Sequence, residues 1–249
     1  PITNSYIIAD VLNESHTSPL DTSRSRQGVW MRTLALAKDA QRQIEGGHRT
    51  PEDYHDLFHR LLRMTISRDD RVLALAEKYF TIRDLAEAGK RTIGTGLIGG
   101  KAVGMLLARA ILAQSGESWR DKLEVHDSFF IGSDVFYTFL VRNGVWWLRQ
   151  KQKDPATFLD GAEQGRRRIL TGTFPDYIMR QFEDVLDYYG QSPIIVRSSS
   201  LLEDNFGNAF AGKYDSVFCA NQGSRHKRLE DFISAVRTIY ASTMSERAL

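Results

Sequence analysis

The sequence has little of what holds a secreted or membrane-spanning protein together. Its 249 residues include one cysteine, Cys219, so no internal disulfide can form. No apolar run approaches the roughly 20 residues that a helix needs to span a bilayer. The N-terminus also lacks a basic segment followed by an apolar core. These absences predict a cytoplasmic protein with no signal peptide and no membrane partner.

An excess of charge of one sign is missing as well. The 33 Lys and Arg residues nearly balance the 31 Asp and Glu residues, which gives a formal net charge of +2. A protein that binds nucleic acid mainly through its phosphates needs a dense basic face, so the balance argues against a nucleic-acid partner. The hydrophobic fraction of 42% is ordinary for a globular protein. At this length it is enough for the core of one large or two smaller domains.

Residues 1–90 have the periodicity of helices and carry little chemistry. Apolar residues recur at helical spacing over residues 29–44, and two glycines end that run. We therefore predict an all-α leader here. His55 and His59, four residues apart, share a helix face and could chelate a metal. Because no third ligand lies at a matching spacing, a surface pair is the better interpretation, and no metal site is predicted.

The first segment with evident chemistry is a glycine-rich turn before a helix. Gly99 and Gly100 let the backbone approach a ligand. The unpaired N–H groups of the helix start favour an anion, and Lys101 adds a mobile cation that can reach a phosphate. This combination suits a nucleotide phosphate site, although the spacing of a Walker A loop is missing. The alternative is an ordinary turn.

A second segment places an arginine after a short β-branched run. Residues 193–196 are predicted to form a buried strand. Arg197 follows at the C-terminal end of that strand, where α/β and related folds bind ligands. Its guanidinium can hold a phosphate through two hydrogen bonds, and Ser198 and its neighbours offer hydroxyl groups. The alternative is an ion pair of Arg197 with Glu203 or Asp204 that fixes a loop.

The third segment is a loop of small residues between two predicted strands. Gly207 and Gly212 bracket it, and a second strand is predicted over residues 214–219, which include Ser216. A flexible glycine-containing loop can close over phosphates and exclude water. The alternative is a plain β-hairpin connection.

Taken together, these segments resemble one family. The stretch from Arg197 to Ser216, RSSSLLEDNFGNAFAGKYDS, is similar to the signature of the N-terminal nucleotide-binding domain of phosphoenolpyruvate synthase and pyruvate phosphate dikinase. That signature runs roughly VRSSAxxED and then FAGxxxT/S. The Gly-Gly-Lys turn and the segments at 130–133, 174–175 and 241–248 resemble four further blocks of the family in the same order. The resemblance covers about residues 92–249 and leaves out the leader.

The resemblance implies a fold. The family's domain is an ATP-grasp fold, which is an α+β domain with a mixed or antiparallel sheet and helices. It would occupy residues 91–249 and follow the all-α leader at residues 1–90. The family's adenine-binding segment and Mg²⁺-holding residues come later in sequence. The resemblance therefore implies a domain truncated at its C-terminal end, with about half of an ATP site and its metal ligands outside this chain.

The resemblance also implies roles for particular residues. Lys101 and Arg197 would be the catalytic cations, which contact the ATP phosphates and stabilise the charge that builds up in phosphoryl transfer. Gly212 would lie in a loop over the phosphates, and Ser216 would be a polar contact near it. The ATP-binding residues are then Gly99, Gly100, Lys101, Arg197, Ser198, Gly212 and Ser216.

The function implied is that of a phosphotransferase. ATP, with Mg²⁺, would phosphorylate a catalytic histidine on another domain of the same polypeptide, and that histidine would pass the phosphoryl group to an acceptor such as pyruvate. The isolated chain would be inactive and would bind ATP weakly or not at all. One alternative is a non-catalytic regulatory nucleotide-binding module with a helical docking element. Another is a structural domain whose phosphate-like motifs are turns, which leaves the agreement of five separated blocks unexplained.

Overall fold

The structure is a computed structural model that describes residues 19–116, 119, 122–124, 126–152, 154–201, 204–205, 208–209, 212–246 and 248. Its helices are α1 (Pro19–Glu45), a 3-10 turn (Pro51–Tyr54), α2 (His55–Thr65), α3 (Asp70–Tyr79), α4 (Ile82–Lys90), α5 (Gly100–Gln114), α6 (Ser133–Arg142), α7 (Trp146–Lys151), α8 (Ala162–Leu170), α9 (Asp176–Tyr189) and α10 (Arg225–Ser242). Its strands are β1 (Thr92–Ile93), β2 (Phe130–Ile131), β3 (Ile194–Arg197), β4 (Asp204–Asn205), β5 (Asn208–Ala209) and β6 (Ser216–Cys219).

Local sequence signals set many of the helix boundaries. The Asp69 carboxylate accepts a hydrogen bond from the Arg71 N–H at 2.9 Å and caps α3. Thr81 and Asp84 exchange side-chain to backbone hydrogen bonds at the start of α4, which is a capping box. Gly144, with a φ of 67°, follows the end of α6, and glycine in this conformation commonly ends a helix. Within the described ranges, no helix is long and apolar enough to cross a bilayer.

The described strands form three two-stranded sheets. β1 pairs with β2 in parallel, whereas the pairs β3–β6 and β4–β5 are antiparallel. The prediction that β3 is buried is wrong. Ile195 is 45% exposed and its cross-strand partner Phe218 is 80% exposed, because only the opposite face of the pair, with Ile194 and Val196, packs on the core that includes α10.

Two hydrophobic cores organise the described part of the chain. The first joins α1–α4 to α5 and β2, and the second joins α6 to α8, α9 and α10. Helix α5 follows residue 91, yet Ala102, Val103 and Leu107 are buried in the first core with the helical region. A helix-rich fold with small sheets and an N-terminal helical region is therefore confirmed. A domain boundary at residue 90 stays a prediction.

Candidate functional site

The glycine turn before α5 and the serine run after β3 are in direct contact. Ser199 lies at the centre of this contact. Its carbonyl oxygen accepts a hydrogen bond from the Gly100 N–H at 2.9 Å. Its hydroxyl accepts one at 3.0 Å from the N–H of Ala102, a residue 97 positions away in the chain. Both N–H groups belong to the first turn of α5, so Ser199 caps that helix from a distant segment.

Gly99 makes the close approach possible. Its φ is 85°, which lies in the left-handed region that favours glycine. A Cβ atom at this position would lie 1.9 Å from the Ser199 carbonyl oxygen. Any other residue would therefore push the two segments apart, and the packing alone requires glycine here.

The start of α5 offers fewer unpaired N–H groups than the sequence predicts. The prediction of unpaired N–H groups that favour an anion is wrong for Gly100 and Ala102, because Ser199 accepts from both. The cause is long-range, since the capping residue comes from another part of the chain. The helix dipole and the positive side chain of Lys101 are the features at this end of α5 that can attract an anion.

Lys101 and Arg197 line the same cleft, whose volume is about 2650 Å³. Lys101 is half-buried, and Arg197 is exposed at the end of β3. Other basic residues along the cleft are Arg142, Arg149 and Arg180, and the helical region adds Arg60, Arg63 and Arg68. Among the described residues, the acidic ones that line it are Asp127, Asp134 and Asp176. Cations therefore outnumber carboxylates along the described lining, which favours an anionic ligand.

The residues predicted for the site fall into two groups. Those that line the cleft are Gly99, Lys101, Arg197 and Ser198, and Gly100 adjoins them as the first residue of α5. Gly212 and Ser216 are not among the described residues of its lining. Ser216 lies directly opposite Arg197 in the β3–β6 pair, so both side chains share one exposed face. Gly212 is exposed, with a φ of 85° and open space where a Cβ atom would lie.

The acidic side chains predicted as partners of Arg197 lie outside the described part of the structure. Glu203 lies outside the described residues, as does Gly207 of the predicted loop. For Asp204 the backbone is described as part of β4, but not the side chain. Among the carboxylates whose side chains are described, none forms an ion pair with Arg197. The ion-pair alternative for Glu203 and Asp204 stays a prediction.

The glycine-rich segment that precedes Lys101 is fixed from two sides. The Thr95 hydroxyl donates a hydrogen bond to the Asp134 carboxylate, at the start of α6, at 2.7 Å. On the other side, the Ile98 N–H donates to the carbonyl oxygen of Thr65, at the end of α2, at 3.0 Å. The segment that positions Lys101 therefore bridges the helical region and the part of the chain that follows it.

Sequence reasoning missed the arginines that the helical region contributes. Residues 1–90 were predicted to carry no chemistry, yet Arg60 and Arg63 lie on the polar side of α2, whose buried residues include Leu61 and Leu62. The spacing of three residues was a signal that both arginines share a helix face. Such a basic face is usually only solvated, so only the tertiary structure reveals that it borders the cleft.

Burial governs the shifted pKa values along the cleft. Tyr240 lines it, and its hydroxyl is buried with no hydrogen-bond partner among the described residues. Burial raises the Tyr240 pKa far above its usual range. Burial, together with the charge of Asp127, also raises the pKa of Tyr189, which lines the cleft as well. Both phenols are therefore neutral, and the basic side chains supply the charge.

Comparison with known proteins gives one result for this chain. The model of the family described as "Pyruvate phosphate dikinase, AMP/ATP-binding domain" matches residues 95–249. The matched range includes the start of α5, the β3–β6 pair and the Ser199 contact. No curated protein and no solved structure matches.

Proposed function

The chain belongs to the family of the AMP/ATP-binding domain of pyruvate phosphate dikinase, and from this premise we propose that Lys101 and Arg197 bind the phosphate groups of ATP. The observation that carries the proposal is the Ser199 contact, which joins the segments of both cations beside one basic cleft. Arginine can hold a phosphate through two parallel hydrogen bonds, and lysine adds a compact charge. Together they suit a polyphosphate.

ATP binding serves phosphoryl transfer in this proposal. Family membership supports an ATP-binding part of a dikinase-like phosphotransferase. The finer steps come from the resemblance: ATP phosphorylates a histidine on another domain of the same polypeptide, and an acceptor such as pyruvate receives the phosphoryl group. Cations held at the phosphates stabilise the negative charge that develops during the transfer. We place this enzyme in the cytoplasm, in keeping with its single cysteine.

The proposal includes an ATP-grasp fold for residues 91–249, with Gly212 in a loop over the phosphates and Ser216 near it. Mg²⁺ is the metal that the family implies. Within the described residues, no group of three or more His, Cys, Asp or Glu side chains could hold a metal ion. As the resemblance implies, the proposal places the residues that hold Mg²⁺ outside this chain.

Replacing Arg197 by Ala tests the proposed site in the longer polypeptide that the resemblance implies, which would carry the histidine domain and the rest of the ATP site. A hydrogen bond to a charged group contributes about 1.5–3 kcal/mol, so we expect ATP affinity to fall about 10- to 100-fold. ATP-dependent phosphorylation of the protein should fall by at least as much. The fold should persist, because Arg197 is exposed at a strand end. Titration calorimetry and transfer of labelled phosphate measure the two effects.

Arg83→Ala is the matched control. Arg83 lies on α4 and is largely exposed, with its Nη1 atom 3.9 Å from Oε1 of Glu45. It carries the same charge as Arg197, but it is not among the described residues that line the cleft. Equal ATP affinity in the Arg197 and Arg83 variants would contradict the proposal. A protein that binds ATP through Arg197 but transfers no phosphoryl group would support the regulatory nucleotide-binding module instead.

A further inference from the structure

The cleft has a wall that lies outside the family match. Arg60, Arg63 and Met64 occupy positions i, i+3 and i+4 of α2, so they share one face of that helix, and all three line the cleft. Arg68, just beyond the end of α2, lines it too. These residues all precede residue 95, where the family match begins. The helical region therefore adds cations to a cleft that the family region also lines.

This wall is attached to the segment that carries Lys101. Thr65, the last residue of α2, is fully buried, and its carbonyl oxygen accepts the hydrogen bond from the Ile98 N–H. Ile98 is itself 2% exposed and lies three residues before Lys101. Arg63 and Arg68 flank Thr65 in the chain. A hydrogen bond between two buried backbone groups thus anchors the arginine-bearing end of α2 to the glycine-rich segment.

Within the described part of the chain, neither arginine has a strong ion pair. Arg68 is exposed and has no ion pair among the residues that the structure describes. Arg63 faces Asp70 at 3.6 Å, but the two side chains are 59% and 91% exposed, and ion pairs this exposed are weak. These two cations line the cleft that Lys101 and Arg197 also line, and such a grouping favours an anionic ligand.

We propose that Arg63 and Arg68 bind the phosphate chain of the nucleotide from the α2 side. The inference rests on the proposed function, because it takes the ligand at Lys101 and Arg197 to be a nucleoside triphosphate. Each guanidinium can donate paired hydrogen bonds to phosphate oxygens. The helical region is then part of the nucleotide site, and its contribution to affinity grows with the number of phosphate groups on the ligand.

The test uses the longer polypeptide that the proposed function implies, and titrates ATP, ADP and AMP into its Arg63→Ala/Arg68→Ala double variant and into its unaltered form. We expect ATP affinity to fall about tenfold or more, with smaller losses for ADP and AMP. Arg83→Ala removes the same charge from the same helical region outside the cleft and should change none of the three affinities. A loss of equal size for all three nucleotides, or none for ATP, would overturn the inference.

Arg197→Ala keeps this inference apart from the proposed function. If Arg197→Ala weakens ATP binding and the double variant does not, the inference fails and the proposed function stands. If only the double variant weakens it, the site at Lys101 and Arg197 fails and the α2 wall remains a phosphate site. If neither changes ATP affinity, both fail. Circular dichroism checks the fold of each variant, which we expect to persist because Arg63 and Arg68 are exposed.

Discussion

A methyl group at residue 99 would collide with the carbonyl oxygen of Ser199, so Gly99→Ala should separate the two segments of the site. The clash at 1.9 Å adds to the cost of placing a Cβ atom at a φ of 85°, which is about 1–3 kcal/mol. We expect the free energy of unfolding to fall by about 2 kcal/mol or more. ATP affinity should fall at least about tenfold, because Lys101 would no longer be held beside Arg197. Denaturant unfolding and calorimetry measure the two quantities.

Gly104 supplies a control in the same helix. It is exposed, its φ lies outside the left-handed region, and the space where its Cβ atom would lie is open. Alanine is favoured over glycine in a helix interior by about 0.5–1 kcal/mol, so Gly104→Ala should stabilise the protein and leave ATP affinity unchanged. If Gly99→Ala behaves in the same way, the Ser199 contact does not hold the site together.

A second effect at this scale is the pH dependence that His126 gives to stability. Its Nδ1 atom is buried with no hydrogen-bond partner among the described residues. Burial, followed by the charges of Arg109 and Arg91, lowers its pKa against a smaller opposing effect of Asp127. Below about pH 6.5 the unfolded chain binds a proton that the folded protein does not. The contribution of neutral His126 to the free energy of unfolding should therefore be fully present above that pH. It should be lost as the pH drops towards the lowered pKa of the folded protein.

His126→Phe removes this titrating group and keeps an aromatic ring 6.2 Å from that of Phe130, measured between ring centroids in the native protein. We expect the unaltered protein to lose more stability than the variant when the pH is lowered from about 7.5 to 5. Denaturant unfolding at several pH values measures the two curves. Curves that run parallel through this interval would show that His126 is not the group responsible.

At the scale of elements, the sequence predicts what is decided within a few residues. The cap at Asp69 and the stop at Gly144 act within one helical turn, and both lie where the local pattern places them. The cap of α5 comes from Ser199, far away in the chain, so no local pattern indicates that the N–H groups of Gly100 and Ala102 are already paired. Long-range capping explains why that prediction failed.

Strand β3 shows a second limit of local reasoning. Its apolar, β-branched run was interpreted as buried, but a strand's burial depends on what covers each of its faces. Here β6 pairs along the edge of β3 and covers neither face, the core that includes α10 packs against one face, and Ile195 stays exposed on the other. Periodicity also did not predict that the segments that carry Lys101 and Arg197 lie close together. That prediction came from the order of the motif blocks, which carries tertiary information that a single element lacks.

At the scale of the whole molecule, α5 belongs to two structural units at once. Its first turn carries Lys101 and the Ser199 contact, whereas its length packs in the first core with the helical region. The motif blocks begin near residue 92, so a boundary drawn from them separates α5 from the helices on which it packs. In physical terms, the helical region and α5 should lose their order together.

The polypeptide 91–249 alone tests this coupling. Without the helical region, the core in which Ala102, Val103 and Leu107 are buried is missing. Their apolar surface is then exposed to water, which costs about 25 cal/mol per Å². We expect the amides of α5 to exchange rapidly while those of α9 and α10 stay protected. Hydrogen–deuterium exchange of residues 91–249, compared with that of residues 1–249, measures these changes.

A pair of leucine variants in the whole chain checks the same coupling without removing any residues. Leu107→Ala leaves a cavity in the first core and should cost about 2–5 kcal/mol, whereas Leu159→Ala, at a side chain 46% exposed, should stay within about 0.5 kcal/mol of the unaltered protein. If the two variants are equally stable, and residues 91–249 keep the amides of α5 protected, then the helical region does not support the fold of α5.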